Sequence, residues 1–109
     1  MKKIIPAVVV LVFVSCIGIS AFAQKAASQN FGEKRFKELC SICHPDGGNI
    51  VNPKKTLHKA DREANNVKTA ADVVNRMRNP GPGMTKFDEK TVPDKEAQEI
   101  AKYVIRAFK

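Results

Sequence analysis

The sequence predicts an all-α protein built from three or four short helices. Three segments of the chain carry apolar side chains at intervals of three or four residues, the spacing that places them on one face of a helix. Val, Ile and Tyr do not fall into the alternating runs that are typical of a half-buried strand. Prolines and glycines separate the segments, so each predicted helix is short.

The first predicted helix runs from Ser28 to about Lys37. Ser28 is a residue type that commonly caps a helix N-terminus. Apolar positions at helical spacing come from Phe31, Phe36 and Leu39. A loop is predicted next, over residues 45–53, because this stretch contains two prolines and two glycines.

Two further helices are predicted in the middle of the chain, the first of them short and weak, from Thr56 to Ala64. The second begins after Thr69, because Thr69 and Asp72 have the spacing of a capping box. It ends at Asn79, since Pro80 follows. Its apolar stripe consists of Val73, Val74 and Met77.

The last helix is predicted to start around Pro93 and Asp94. Proline is favoured at a helix start, and the acidic side chains of Asp94 and Glu96 suit the positive end of the helix dipole. One face of this helix carries Ile100, Tyr103, Val104 and Ala107.

Residues 1–23 have the three-part layout of a secretory signal peptide. Lys2 and Lys3 precede an apolar run, and small residues follow in 21–23. Cleavage after Ala23 would leave a mature domain of residues 24–109, which we expect in the periplasm without stable insertion into the membrane. An uncleaved anchor and a lipoprotein acylated at Cys16 are the alternatives.

The composition indicates that the mature domain has too thin a core to fold by itself. The overall hydrophobic fraction is 43%, but residues 1–23 hold 17 of the 47 hydrophobic residues, and Leu, Ile, Val and Phe number only 16 in the remaining 86. A domain of this size usually needs a metal, disulfides, a partner or a cofactor to complete its core. The composition therefore excludes a multidomain enzyme and a multi-span membrane protein.

Residues 40–44 carry the clearest chemical signal, Cys40-Ser41-Ile42-Cys43-His44, the attachment motif for c-type haem. One turn of chain lets two thiols, those of Cys40 and Cys43, form thioethers with the two vinyl groups of one porphyrin. The adjacent His44 is then carried under the ring as the proximal iron ligand. This predicts one covalently attached haem c with its iron.

Two other kinds of site could be built from the same residues. A thioredoxin-like pair requires a βαβ context, which this chain lacks. A zinc site would combine Cys40, Cys43 and His44 with His58, but adjacent Cys43 and His44 cannot easily point at one tetrahedral centre.

A second axial ligand for the iron is sought among Met84, Met77 and His58. Met77 lies on the apolar stripe of its helix, so core packing explains it. His58 lies among basic residues and is expected to be a solvated surface residue. Met84 follows Gly83 in an extended segment that gives no helical reason for a large apolar side chain. We therefore favour Met84, because methionine opposite histidine is a usual haem ligand pair.

The sequence resembles the class I c-type cytochromes over most of residues 28–108. Gly32, Phe36 and Cys40 match the N-terminal helix of that family, and Ile100 and Tyr103 match the C-terminal helix that crosses it. The resemblance implies the cytochrome c fold, in which the short helices wrap around the haem.

The loop after the haem motif, residues 47–57, resembles that of the small photosynthetic cytochromes that replace plastocyanin, and of single-haem periplasmic relatives. By the same resemblance Met84 corresponds to the distal methionine and Phe87 to the aromatic after it. The carbonyl of Pro53 would accept a hydrogen bond from the His44 ring. The haem propionates would be neutralised by Lys55, Arg76 or Arg78.

With His44 and Met84 both bound, the iron has no open position for a substrate, which predicts a single-electron carrier and not an enzyme. The alternative is a haem-based sensor, or a gas- or peroxide-binding module, with a displaceable distal ligand.

Without Lys2 and Lys3 the net charge is +6, from 17 basic and 11 acidic residues. We expect a monomer that docks on acidic redox partners and does not bind nucleic acid.

Overall fold

The computed structural model describes residues 5–109, with side chains from residue 21 onward. Four α-helices follow one another along the chain: α1 (Ile5–Leu39), α2 (Lys59–Ala64), α3 (Ala70–Arg78) and α4 (Asp94–Ala107). A single 3-10 turn, Pro45–Gly47, lies between α1 and α2. The described part of the chain contains no strand, which confirms the predicted all-α class.

Helix α1 begins much earlier than the sequence predicts. It runs without a break past Ala23 and Ser28, so the prediction that Ser28 caps the helix is wrong. The reason is local, since residues 19–31 contain neither Pro nor Gly to stop a helix. The hydroxyl of Ser28 instead donates a hydrogen bond to the carboxylate of Glu99 in α4 (2.6 Å). Most of the predicted signal peptide, including Cys16, lies outside the residues whose side chains are described.

The crossing of α1 over α4 builds the core. Phe36 of α1 is buried, and its ring centroid lies 5.2 Å from that of Tyr103 in α4. Phe31, which shares the predicted apolar stripe, is 43% exposed and takes no part in this core. At the rim of the crossing, Arg35 of α1 pairs with Glu96 of α4. The buried apolar residues are Phe36, Val73, Met77, Val92, Ala97, Ile100, Ala101 and Val104.

Helix α3 packs against α4 and begins at the predicted capping box. The Thr69 hydroxyl accepts from the Asp72 backbone N–H (3.2 Å), and the Asp72 carboxylate accepts from the Thr69 N–H (2.9 Å). The helix ends at Arg78, immediately before Asn79 and Pro80, as predicted. Helix α4 begins at Asp94, directly after a proline.

Helix α2 has six residues, a little over a turn and a half, and begins at Lys59, three residues after the predicted start. It carries the one buried charged residue among those described, Arg62. Within the part of the chain that the structure describes, no helix has an apolar stretch long enough to cross a membrane.

Candidate haem-binding site

The Cys-x-x-Cys-His segment follows directly on the last residue of α1, Leu39. Backbone hydrogen bonds from the N–H groups of Cys43 (3.1 Å) and His44 (2.8 Å) to the carbonyl of Cys40 fold the segment into one further turn. This turn keeps both thiols on the same end of α1. The two cysteines are not joined by a disulfide, Cys43 is exposed, and burial raises the pKa of the half-buried Cys40 thiol to about 11.

The ring of His44 is oriented by the chain that follows it. Its Nδ1 lies 2.7 Å from the carbonyl oxygen of Gly48. A carbonyl can only accept, so Nδ1 carries the proton and Nε2 keeps a free lone pair for a metal. The resemblance implied Pro53 as the acceptor, and the structure gives Gly48 instead. The chain turns back within four residues because Asp46 (φ 52°) and Gly47 (φ 78°) both adopt left-handed backbone.

The three candidates for the second ligand lie in different surroundings. Met77 is in the buried core with 4% exposure, which confirms the packing predicted from its position in α3. His58 precedes α2, and its ring stands edge-on to Phe108 with 5.8 Å between centroids. Met84 is half-buried at the edge of the core, in the loop between α3 and α4.

The loop that carries Met84 lies beside the loop that follows His44. Gly83 has a φ of +87°, and a Cβ added to it would lie 2.9 Å from Cγ1 of Val51. The Phe87 N–H donates to the carbonyl of Met77 (3.0 Å), which fixes the far side of the loop to the end of α3. These contacts place the residue before Met84 next to the loop that follows the cysteine motif.

Two arginines contribute to the site in ways that the sequence does not reveal. Arg62 is buried and donates to the carbonyls of Leu57 (2.7 Å), Val67 (3.4 Å) and Phe108 (3.3 Å). It thereby ties the loop after the cysteine motif to the C-terminal end of the chain. No local pattern marks such a residue, because its acceptors are backbone carbonyls up to 46 positions away.

Arg78, a candidate for the propionates, has other partners in the structure. Its Nη1 donates to the carbonyl of Phe87 (2.9 Å) and its Nη2 to the carboxylate of Asp94 (2.8 Å).

The zinc alternative finds no support in the described residues, where no three His, Cys, Asp or Glu side chains gather into a possible metal site.

Comparisons with known proteins point to one class. Residues 27–104 match the family model described as cytochrome c oxidase, cbb3-type, subunit III. Cytochrome c6 of Cyanidium caldarium is 32% identical over 80 residues, which are 73% of this chain and 72% of that protein. Cytochrome c6 of a Nostoc species is 32% identical over 105 residues, covering 96% of this chain and 93% of that protein.

Solved structures give the same result. Outer membrane cytochrome F (OmcF) of Geobacter sulfurreducens is 47% identical, with a TM-score of 0.70 over 72% of this chain and 99% of that one. Cytochrome c6C from a Synechococcus species is 26% identical, with a TM-score of 0.67 over 72% of this chain and 94% of that one.

An all-helical fold that ends its first helix in Cys-x-x-Cys-His is that of a c-type cytochrome. Such proteins bind one covalently attached haem c and transfer electrons. More narrowly, the chain belongs to the small class I c-type cytochromes of the c6 type.

The residues present fit a haem. Free thiols lie on one turn, and the adjacent histidine has its Nδ1 satisfied and its Nε2 available. Beside them the core is left with a half-buried apolar edge, consisting of Leu39, Leu57, Val74, Met84 and Phe87 among others. Ile42, Ile50 and Val51 are exposed apolar residues in the motif and the loop after it. A flat apolar group held by both cysteines would cover such an edge and complete the thin core.

Proposed function

We propose that this chain is a periplasmic single-electron carrier whose haem iron is bound by His44 and Met84, with thioethers to Cys40 and Cys43. The observation that carries the proposal is the position of Met84. It is a half-buried thioether on an irregular loop that contacts, through Gly83 and Val51, the loop following His44. Of the other two candidates, Met77 is packed in the core, and His58 is an exposed residue beside Phe108.

The chain's own residues account for the ligand chemistry. The thiols of Cys40 and Cys43 would hold the haem through thioethers, at the end of α1 where both cysteines lie. The Gly48 carbonyl holds the proton on Nδ1 of His44, which leaves Nε2 as the neutral nitrogen that would bind the iron. Methionine is a soft donor that favours the ferrous state and raises the reduction potential above that of a bis-histidine site.

When bound, haem c supplies a one-electron couple at its iron. With His44 and Met84 both bound, the iron would have no vacant position for a substrate, and its chemistry would be limited to electron transfer. The His44 ring is already oriented by its hydrogen bond to the Gly48 carbonyl, so this ligand would need little rearrangement between the two redox states. This favours a carrier over a catalyst.

The test is an absorption spectrum of the oxidised holoprotein and two matched variants. We expect the weak long-wavelength methionine-to-iron band in the wild type, its loss in Met84→Ala and its retention in Met77→Ala. Both variants shorten a methionine, so the comparison isolates the ligand. A wild-type protein without the band, with a high-spin ferrous spectrum and immediate uptake of carbon monoxide, would contradict the carrier and support the sensor alternative.

Export is the second part of the proposal. Residues 1–23 would be removed, leaving a domain of residues 24–109 with a net charge of +6 before haem attachment. Mass spectrometry of the protein purified from its native host tests this: the mass of residues 24–109 plus haem is expected. A mass that includes residues 1–23, or a lipid on Cys16, would contradict it.

The charge of the mature domain supports acidic redox partners. Lys54, Lys55 and Lys86 are exposed in the two loops on either side of the proposed haem edge. Attraction between this surface and acidic partners would increase the association rate and would be screened by salt. We expect the electron-transfer rate to fall as ionic strength rises and the protein to be a monomer; a rate independent of salt would contradict the acidic partner.

A further inference from the structure

We propose that Arg78 is a positioning residue that holds the Met84 loop closed over the haem, and so determines how often Met84 leaves the iron. The inference rests on the proposed ligation by Met84. It begins from the two hydrogen bonds of one guanidinium, to the Phe87 carbonyl (2.9 Å) and to the Asp94 carboxylate (2.8 Å).

The place of Arg78 in the chain gives these bonds their effect. Arg78 is the last residue of α3, and Asp94 is the first residue of α4. The loop between them, residues 79–93, carries Met84. The Arg78–Asp94 pair therefore joins the two ends of the loop, while the bond to Phe87 holds its middle, three residues after Met84.

The peptide groups of Phe87 are held from both sides. Its N–H donates to the carbonyl of Met77, and its carbonyl accepts from the side chain of Arg78, the last residue before the loop. Both partners are in the last turn of α3. Losing the Arg78 bond would leave the backbone of Phe87 with a single neutral hydrogen bond beside the packing of its ring on the core, and the segment back to Met84 would gain freedom.

The segment from 80 to 86 has little else to hold it. It forms no helix or strand, and the Met84 N–H is 3.4 Å from the carbonyl of Gly81, a long hydrogen bond. Thr85 and Lys86 are exposed. Beyond Phe87, the next firm anchor of the loop is Val92, which is fully buried. Binding of the uncharged Met84 thioether to the iron would therefore require segment 80–86 to keep its position.

The chemistry of arginine suits this role. The Arg78 side chain is 16% exposed, so its hydrogen bonds are partly protected from water. The planar guanidinium presents two donors at once to the carbonyl and the carboxylate, whereas a lysine ammonium on a flexible stem would not hold both in one plane. The side chain of Asp94 is 64% exposed, which means that Asp94 can be changed without disturbing the core.

The experiment measures the rate at which imidazole displaces methionine from the ferric haem in the holoprotein, followed at the long-wavelength band. Arg78→Gln is expected to accelerate displacement about tenfold or more, the scale of losing a hydrogen bond from a charged donor. Arg78→Lys, which retains one donor, and Asp94→Asn, which weakens one acceptor, are expected to lie between it and the wild type. Lys90→Gln, an exposed cation in the same loop, is the matched control and is expected to leave the rate unchanged.

Three outcomes overturn the proposal, and they are distinguishable from one another. If the wild type lacks the band or binds imidazole as fast as Met84→Ala, the ligation by Met84 is wrong and this inference fails with it. If the wild type is protected and Arg78→Gln is equally protected, only this inference fails. If Arg78→Gln and Asp94→Asn lower the denaturation midpoint in proportion to the faster displacement, Arg78 acts on global stability and is no positioning residue.

Discussion

Gly32 of α1 lies directly against the backbone of Glu99 in α4. A Cβ added to Gly32 would be 2.8 Å from the carbonyl carbon of Glu99 and closer still to its oxygen. Both groups belong to helix backbones, so neither can move aside as a flexible side chain would. The closest approach of the two longest helices therefore depends on a residue without a side chain.

Gly32→Ala is expected to destabilise the holoprotein by about 1–3 kcal/mol, the usual effect of overpacking a core. Alanine is the better helix former by about 1 kcal/mol, and the clash with Glu99 must outweigh this gain. The measurement is the denaturant midpoint. Gly81→Ala is the control, since nothing lies within 4 Å of a Cβ at Gly81. If Gly32→Ala were as stable as the wild type, the helices would cross differently.

A second prediction concerns Gly47 and Phe108, which connect the cysteine motif to the end of the chain. Gly47 has a φ of +78°, and a Cβ on it would lie 2.7 Å from Cγ of the Phe108 ring. Gly47→Ala is expected to lower stability through both the backbone strain, about 1–2 kcal/mol, and the clash.

Phe108→Ala removes the clash but not the strain. In a double-mutant cycle, Gly47→Ala should cost less in the Phe108→Ala background than in the wild type. Equal costs in the two backgrounds would mean that the Phe108 ring does not rest on Gly47. Unfolding free energies of the four holoproteins provide the measurement.

The capping box of α3 gives a prediction that depends on pH. Thr69→Ala is expected to destabilise the protein by about 1 kcal/mol at neutral pH, as for other helix caps. Hydrogen bonds from the Thr69 and Lys68 backbone N–H groups lower the pKa of Asp72. A lowered folded-state pKa stabilises the fold at pH values above the unfolded value, about 3.9, and this contribution is lost as the pH falls through the folded value.

Asp72→Ala should therefore differ from the wild type most at neutral pH, and the difference should shrink below about pH 4. A wild-type advantage over Asp72→Ala that did not change with pH would contradict the charged capping box. Thermal unfolding across the pH range checks it.

Removing the haem is expected to abolish cooperative folding. The eight buried apolar residues include two alanines, and much of the remaining apolar surface is only half-buried at the edge of the core. A chain with Cys40→Ala and Cys43→Ala should lack a sharp unfolding transition and near-ultraviolet circular dichroism. Met84→Ala, which keeps both thioether positions, should retain both signals. A stable, cooperatively folded haem-free chain would contradict the role given to the cofactor.

Features that depend on near neighbours in the chain were predictable from the sequence. The Thr69–Asp72 capping box involves residues three apart, and the end of α3 follows from the proline two residues later. The haem motif occupies five consecutive residues. Met77 in the core follows from helical spacing alone. Each of these is encoded within one or two turns of backbone, so helix geometry is enough to interpret it.

The roles of Ser28, Gly48, Arg62 and Arg78 could not be predicted. Serine is a residue type that often caps helices, yet the Ser28 hydroxyl donates to Glu99, 71 positions away. Phe31 has the right spacing for the core but is 43% exposed, because α4 packs against only part of the stripe of α1. A hydrogen bond to a backbone carbonyl has no sequence signature, since every residue has that acceptor.

The sequence by itself determined that the protein is helical and that it carries the Cys-x-x-Cys-His motif typical of haem attachment, and its composition predicted a core that needs a cofactor. Only the tertiary structure decided that Gly48 orients the His44 ring and that the Met84 loop is joined at both ends by Arg78 and Asp94. The physical reason is the separation along the chain of the residues that interact. Helix formation and covalent attachment are local, whereas the orientation of ligands depends on which helices meet and on the carbonyls and carboxylates that their meeting brings within reach.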